Sequence, residues 1–331
     1  MDHIDTGMLS RAQGCLLGQL AGDALGSQVE FCSPEEIIRK YPEGIGLADG
    51  GTWNTIAGQP TDDSEMALML ARSIISAGTY EPGNALKAYL HWRQSGPFDM
   101  GITIRSALSG AYNEDSQANG AMMRVSPLGI YGSGFTLEET AKWAQADAAL
   151  THINPVCLQA NALYAMAISE AVRNCPKPEA LYAAMLSWAD DFNVEPVLLE
   201  TMKQAETSPP TDYLMFAGWV LIAFQNALYQ LLHAEGIEEG IVNTVMEGGD
   251  SDTNAAICGA LLGAVHGVET IPAEWRNTIL DCKPEDGNAR VFRPRPREFW
   301  PVDAMEVAES LLAAGIAARK RRIIFPDNED R

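Results

Sequence analysis

The chain has 331 residues, 47% of them hydrophobic, with 23 basic against 44 acidic residues and a formal net charge of −21. That balance argues against a phosphate-backbone binder, which needs a basic footprint, and against attraction to anionic membrane surfaces. No apolar run approaches the ~20 residues of a membrane span, and the first five residues, Met-Asp-His-Ile-Asp, lack the basic start and apolar stretch of a signal peptide. A soluble cytoplasmic protein is therefore expected.

Ala, Leu, Met and Ile recur at three- and four-residue spacing along most of the chain, the helical period. A first helix is expected over 8–25. It carries Gly14, Gly18, Ala21 and Gly22, and glycine costs helix stability, so this helix should pack close to a neighbour. The glycine-rich stretch 44–60 reads as a loop, with Thr61 or Asp62 as N-cap of a helix over 64–76. Further helices are expected over 84–94, 101–113, 137–150, 155–173, 179–192 and 197–205. A polar loop with Pro209-Pro210 follows, then apolar runs over 216–232 and 237–246 and a small-residue helix over 252–265. The stretch 283–301 is Pro- and Arg-rich and irregular, and 302–322 is the last helix. Strand patterns are absent and no linker divides the chain. The expectation is an all-α fold: a compact single domain over 1–331.

Six cysteines, at 15, 32, 157, 175, 258 and 282, form no CxxC pair and read as buried, reduced structural thiols. The basic run Arg319-Lys320-Arg321-Arg322 reads as positive charge favoured at a helix C-terminus.

Chemistry concentrates in two acidic clusters. Thr61-Asp62-Asp63 sits at a helix start, where exposed amides favour one carboxylate; it is either a cap or part of a cation site. Asp250-Ser251-Asp252-Thr253 follows Gly248-Gly249, which lets the backbone turn sharply. Capping needs one of these groups rather than three, and hard divalent cations accept this mixture of oxygen ligands. Three other segments stand out: Asp23 in Gly22–Gly26 with Glu30 beyond it, Asn119-Gly120 within 118–124, and His152 after Thr151. Each also has a plain structural reading. Histidine spacing gives no HxH or HExxH pair, which argues against a histidine-ligated metal.

In order and spacing, these segments resemble the ADP-ribosylglycohydrolase family. The matching pieces are Gly18–Gly26 with Glu30, Thr61-Asp62-Asp63, Asn119–Arg124, Thr151-His152 and Gly248–Thr253. The resemblance implies an all-α domain, a compact orthogonal bundle of a dozen or more helices, with two Mg²⁺ or Mn²⁺ ions in a central cleft. It implies Thr61, Asp62, Asp63, Asp250, Asp252 and Thr253 as metal ligands, and Glu30 and Asp62 as catalytic carboxylates. It assigns Asn119, Gly120, Ala121, Met122 and His152 to the distal ribose and its neighbours. It assigns Asp99 and Gly101, in the segment 96–101, to a phosphate-contacting loop. The implied activity is hydrolysis of the glycosidic bond between ADP-ribose and an acceptor, on an ADP-ribosylated protein or a small ADP-ribosyl substrate. Some arginine-specific relatives have an aspartate three residues before the Asn-Gly pair, where this chain has Ser116. Serine-type members more often read Ser-x-Gly-Asn-Gly, where this chain has Ala118 in place of the first glycine.

Two rival readings remain. All-α prenyl-diphosphate enzymes hold Mg²⁺ on Asp-Asp-x-x-Asp motifs, but Asp62-Asp63-Ser64-Glu65-Met66 has methionine at the fifth place. A non-catalytic ADP-ribose-binding module would need no turnover.

Overall fold

The structure is a computed structural model that describes residues 4–324. The first three residues of the N-terminal stretch read above lie outside the described residues. α1 (Thr6–Gly26), α2 (Pro34–Lys40), α3 (Asp62–Ala77), α4 (Pro82–Gln94) and α5 (Ile102–Ala107) lead to a 3-10 turn at Asn119–Arg124. α6 (Ser126–Gly132), α7 (Leu137–Ala148), α8 (Pro155–Asn174), α9 (Pro178–Asp191) and α10 (Pro196–Gln204) follow. α11 (Val220–His233), α12 (Ile237–Met246), α13 (Ser251–His266), α14 (Ala273–Leu280) and α15 (Ala304–Ile324) complete an all-α bundle. Two isolated β-bridges, Gly50 with Thr55 and Ala118 with Trp219, are the extended pairings among the described residues.

The centre of the bundle is the antiparallel pair α1 and α13. Every residue of α13 from Ser251 to Val265 is buried, and so is every residue of α1 from Gly14 to Gly26. Glycine spacing explains the contact. A Cβ on Gly14, Gly18, Gly22 or Gly26 would lie 2.0–2.4 Å from a backbone oxygen of Gly263, Gly259, Ala255 or Ser251. The stripe therefore brings two backbones together at four successive turns, and α8, α11 and α12 wall the pair in. Leu16, Leu17, Leu20 and Leu25 fill the space around it, each fully buried and contributing about 1.5–3 kcal/mol.

Several expectations shift. The helix expected over 101–113 stops at Ala107, and Gly110 then takes φ +87°. The apolar run 216–232 becomes helical only at Val220, because Gly218 sits at φ +77° ahead of it. α2, α6 and α14 were not expected. α2 had a readable signal: Ser33 and Glu36 form a reciprocal capping box with Pro34 at the first turn. Asn119–Arg124 is a tight 3-10 turn. Cys15, Cys157, Cys258 and Cys282 are buried as expected, but Cys32 is half-buried and Cys175 is exposed at the left-handed end of α8. All six are unpaired. The basic run lies at the end of α15, where Arg322 pairs with Glu139 and Arg321 donates to Gly78 O at 3.4 Å. Among the described residues no helix is long and apolar enough to cross a membrane.

Candidate active site

α3 and α13 both begin at one cavity of about 470 Å³, and each carries one acidic cluster there. Its lining includes six carboxylates: Glu30, Asp62, Asp63, Asp99, Asp250 and Asp252. Gly248 and Gly249 make the approach to α13 possible. Both adopt left-handed backbone, and a Cβ on either would lie 2.1–2.2 Å from a carbonyl oxygen of Tyr213 or Cys32. Phe31 N–H donates to Gly249 O at 2.7 Å, and Gly249 N–H donates to Cys32 O at 3.1 Å. These bonds tie the turn carrying Glu30 to the turn carrying Asp250.

The carboxylates are close and poorly neutralised. Glu30, Asp99 and Asp252 each offer an oxygen within 4.8 Å of the others. Trp53 Nε1 donates to Glu30, Asn119 Nδ2 donates to Asp250 Oδ2 at 2.7 Å, and Gly101 N–H reaches Asp62 Oδ2 at 3.4 Å. The ion pairs of the described residues join other groups; Arg295, for instance, pairs with Glu65 and Arg124 with Asp147. Asp63 Oδ1 is buried with no hydrogen-bond partner.

Electrostatics follow from this crowding. Burial, then the charges of Asp250 and Asp99, push the Glu30 carboxyl up to about 8. Burial, then the charges of Asp99, Asp63 and Glu30, push Asp62 well above the ordinary carboxylate range. Asp63 and Asp252 are pushed the same way, burial first and neighbouring carboxylates second. A cluster of this kind holds protons or needs cations. Its donors are oxygens throughout, which fits a hard divalent cation rather than a softer metal.

Other lining residues are neutral. His152 is fully buried, with Nδ1 2.8 Å from Thr151 Oγ1 and Nε2 without a partner. Burial, then the charge of Arg124, lowers its pKa to about 3, so the ring is uncharged. Gly120 lies against it: a Cβ there would meet His152 Cε1 at 3.2 Å and Ile104 Cδ1 at 2.9 Å. The 3-10 turn carrying Gly120 is held from beneath by Arg124, whose guanidinium reaches Gly120 O at 3.4 Å and bonds Asp147.

Of the residues singled out in sequence, Glu30, Asp62, Asp63, Asp99, Gly101, Asn119, Gly120, His152, Asp250, Asp252 and Thr253 line this one cavity. Thr61 is buried beneath it, with Oγ1 3.0 Å from Asp63 Oδ2. Ala121 and Met122 are fully buried and lie outside the lining, whereas Met123, which sequence reasoning passed over, is part of it. Phe31 and Ile102 also line the cavity, 64% and 83% exposed, and put apolar surface at its mouth. Phe31 could have been suspected beside Glu30; Ile102 carries no local signal. Ser116 reaches the cavity indirectly, its Oγ 2.8 Å from the hydroxyl of the lining residue Thr103.

The fold and cavity define a class: an all-α protein in which α3 and α13 begin at a buried, carboxylate-lined cleft. The family profile described as ADP-ribosylglycohydrolase matches residues 5–314, and the chain belongs to that family of hydrolases. It is 30% identical over 288 residues to the ADP-ribosyl-[dinitrogen reductase] glycohydrolase of Rhodospirillum rubrum, covering 83% of this chain and 92% of that one. It is 27% identical to the ADP-ribosylarginine hydrolase Tri1 of Pseudomonas putida, covering 81% of this chain and 73% of that one. A solved ADP-ribosylglycohydrolase-related protein complex contains a chain of the same fold, with TM-score 0.76 and 27% identity over 94% of this chain and 100% of that one. Membership sets aside the prenyl-diphosphate reading. In keeping with that, Met66, at the fifth place of the motif, is buried in α3.

Proposed function

We propose that this chain, acting as one domain, is a divalent-cation-dependent hydrolase that cleaves the bond between the distal ribose of ADP-ribose and an arginine- or serine-type acceptor, releasing ADP-ribose. The observation that carries the proposal is the buried all-oxygen cluster with an orphaned Asp63 oxygen. Thr61, Asp62, Asp63, Asp250, Asp252 and Thr253 would hold two Mg²⁺ or Mn²⁺ ions. When bound, the ions would neutralise the cluster and act as Lewis acids toward sugar oxygens.

The protein's own groups supply the rest. The neutral His152 lines the cavity and its buried Nε2 has no partner, so it would offer a hydrogen bond to a ribose or diphosphate oxygen without adding charge. Gly120 leaves room for that approach. Asp99 and Gly101 border the same side of the cavity as Asp62. Trp53 holds one oxygen of Glu30, leaving the other for proton transfer. In the step itself, a water oxygen bonds to the ribose C1″ as the bond from C1″ to the acceptor heteroatom breaks. Glu30 or Asp62 would take one proton from the water, and the same carboxyl or the other would give one to the departing acceptor. Negative charge on the cleft wall favours the oxocarbenium-like transition state.

The test is a panel of ADP-ribosyl-arginine and ADP-ribosyl-serine peptides, assayed for free ADP-ribose with Mg²⁺, with Mn²⁺ and with EDTA. Release with either cation and none with EDTA is expected. Tight binding without release under excess Mg²⁺ would favour a non-catalytic binding module instead.

A further inference from the structure

The α3 helix carries three acidic residues in its first turn, yet its cap residue Thr61 makes no side-chain capping bond. The missing acceptor comes from another helix. Asp23, fully buried on α1, accepts from Thr61 N–H at 3.1 Å and from Ser64 N–H at 3.1 Å. It also lies 2.9 Å from Thr61 Oγ1. One turn earlier on the same face, Gln19 Nε2 donates to Asp63 O at 3.4 Å and to Met123 O at 2.8 Å. The adjoining face of α1 carries Gly18, Gly22 and Gly26, which seat the backbone of α13, and Ser251 Oγ donates to Gly26 O at 2.8 Å. One helix thus fixes the starts of both helices that carry the acidic clusters.

We propose that Asp23 is a positioning residue for the cation centre: it caps α3 from α1 and takes the Thr61 hydroxyl hydrogen, so that Thr61 presents lone pairs toward Asp63. The proposal rests on the cation reading above. A hydroxyl has a single hydrogen to give. With that hydrogen on Asp23, Thr61 Oγ1 and Asp63 Oδ2 stand 3.0 Å apart as two acceptors. Two acceptors at that distance need a proton or a cation between them, and a bound cation would meet both at once. Asp23 lies outside the lining of the cavity, so it acts through α3 and not on substrate. Partners that orient metal ligands in this way typically carry a 10–100-fold share of metal affinity.

The experiment uses Mn²⁺ alone as probe, on the wild-type chain, Asp23→Asn, Thr61→Val and the double variant. Calorimetry gives affinity and stoichiometry, and circular dichroism in EDTA gives the fold. Asp23→Asn is expected to melt cooperatively with wild-type helicity and to bind Mn²⁺ about 10–100-fold more weakly. Thr61→Val should add less to Asp23→Asn than it costs alone, because the two act through one bond. Wild-type Mn²⁺ affinity in Asp23→Asn would overturn the proposal. So would a variant that fails to fold with or without Mn²⁺, which would make Asp23 a residue of the core alone. A wild-type chain that binds no Mn²⁺ would sink the cation reading itself, an outcome distinct from the other two.

Discussion

Raising the pH in the absence of cations should destabilise this protein, and the structure sets the size of the effect. The Glu30 carboxyl rises from an ordinary 4.5 to about 8, through burial and then the charges of Asp250 and Asp99. A carboxyl raised on folding binds its proton more tightly in the folded chain. Its stabilising contribution is complete below the unfolded pKa and is lost as pH rises through the folded one. The window for Glu30 therefore runs from about 4.5 to about 8. At about 1.4 kcal/mol per unit, Glu30 alone accounts for on the order of 5 kcal/mol. For a chain of this length that corresponds to roughly 7 °C in Tm. Asp62, Asp63 and Asp252 shift in the same direction and add to the fall. The assay is thermal unfolding in EDTA at pH 5 to 8.5, repeated with saturating Mn²⁺ and with Glu30→Gln. In EDTA the Tm should fall across the window. Mn²⁺ should flatten the fall by replacing protons, and Glu30→Gln should make it shallower. A Tm that is constant or rising with pH in EDTA would refute the reasoning.

Other consequences are local. Gly22→Ala would place a Cβ 2.0 Å from Ala255 O and push α1 from α13; a loss of roughly 1–3 kcal/mol or more is expected by urea unfolding, and an unchanged midpoint would count against the glycine seam. Arg295→Met strands Glu65, which is buried and accepts both arms of the guanidinium at 2.7 Å. That should cost about 3–5 kcal/mol, and adding Glu65→Leu should recover much of it. Gly120→Ala intrudes on His152 and Ile104 and should raise KM roughly tenfold, with little change in Mn²⁺ affinity by calorimetry.

Much of the fold was legible because α1 and α13 announce themselves. Small residues at four-residue spacing have few uses in a helix other than close packing, and both helices were placed within two residues of their bounds. The acidic clusters were legible for an electrostatic reason: too many carboxylates without cationic neighbours in sequence. What sequence did not show is long-range. Asp23 reads as a helix-end polar residue until α3 arrives beside it, 38 positions later. Glu65 and Arg295 are 230 residues apart, and neither segment hints at the other. Short elements were lost for a different reason. α6 has seven residues and α14 eight, too few for a helical period to stand out from a buried apolar run.

If the carboxylates gathered at the starts of α3 and α13 form a cation-dependent hydrolytic centre for ADP-ribosyl bonds, turnover must follow the cation. The most direct test is the initial rate of ADP-ribose release by chelator-stripped protein as Mn²⁺ is titrated back, with Asp252→Ala measured alongside. No release is expected after stripping, with full recovery as two equivalents of Mn²⁺ bind per chain and no recovery in Asp252→Ala. Release that persists in the stripped protein, or that is intact in Asp252→Ala, would contradict a cation-dependent centre.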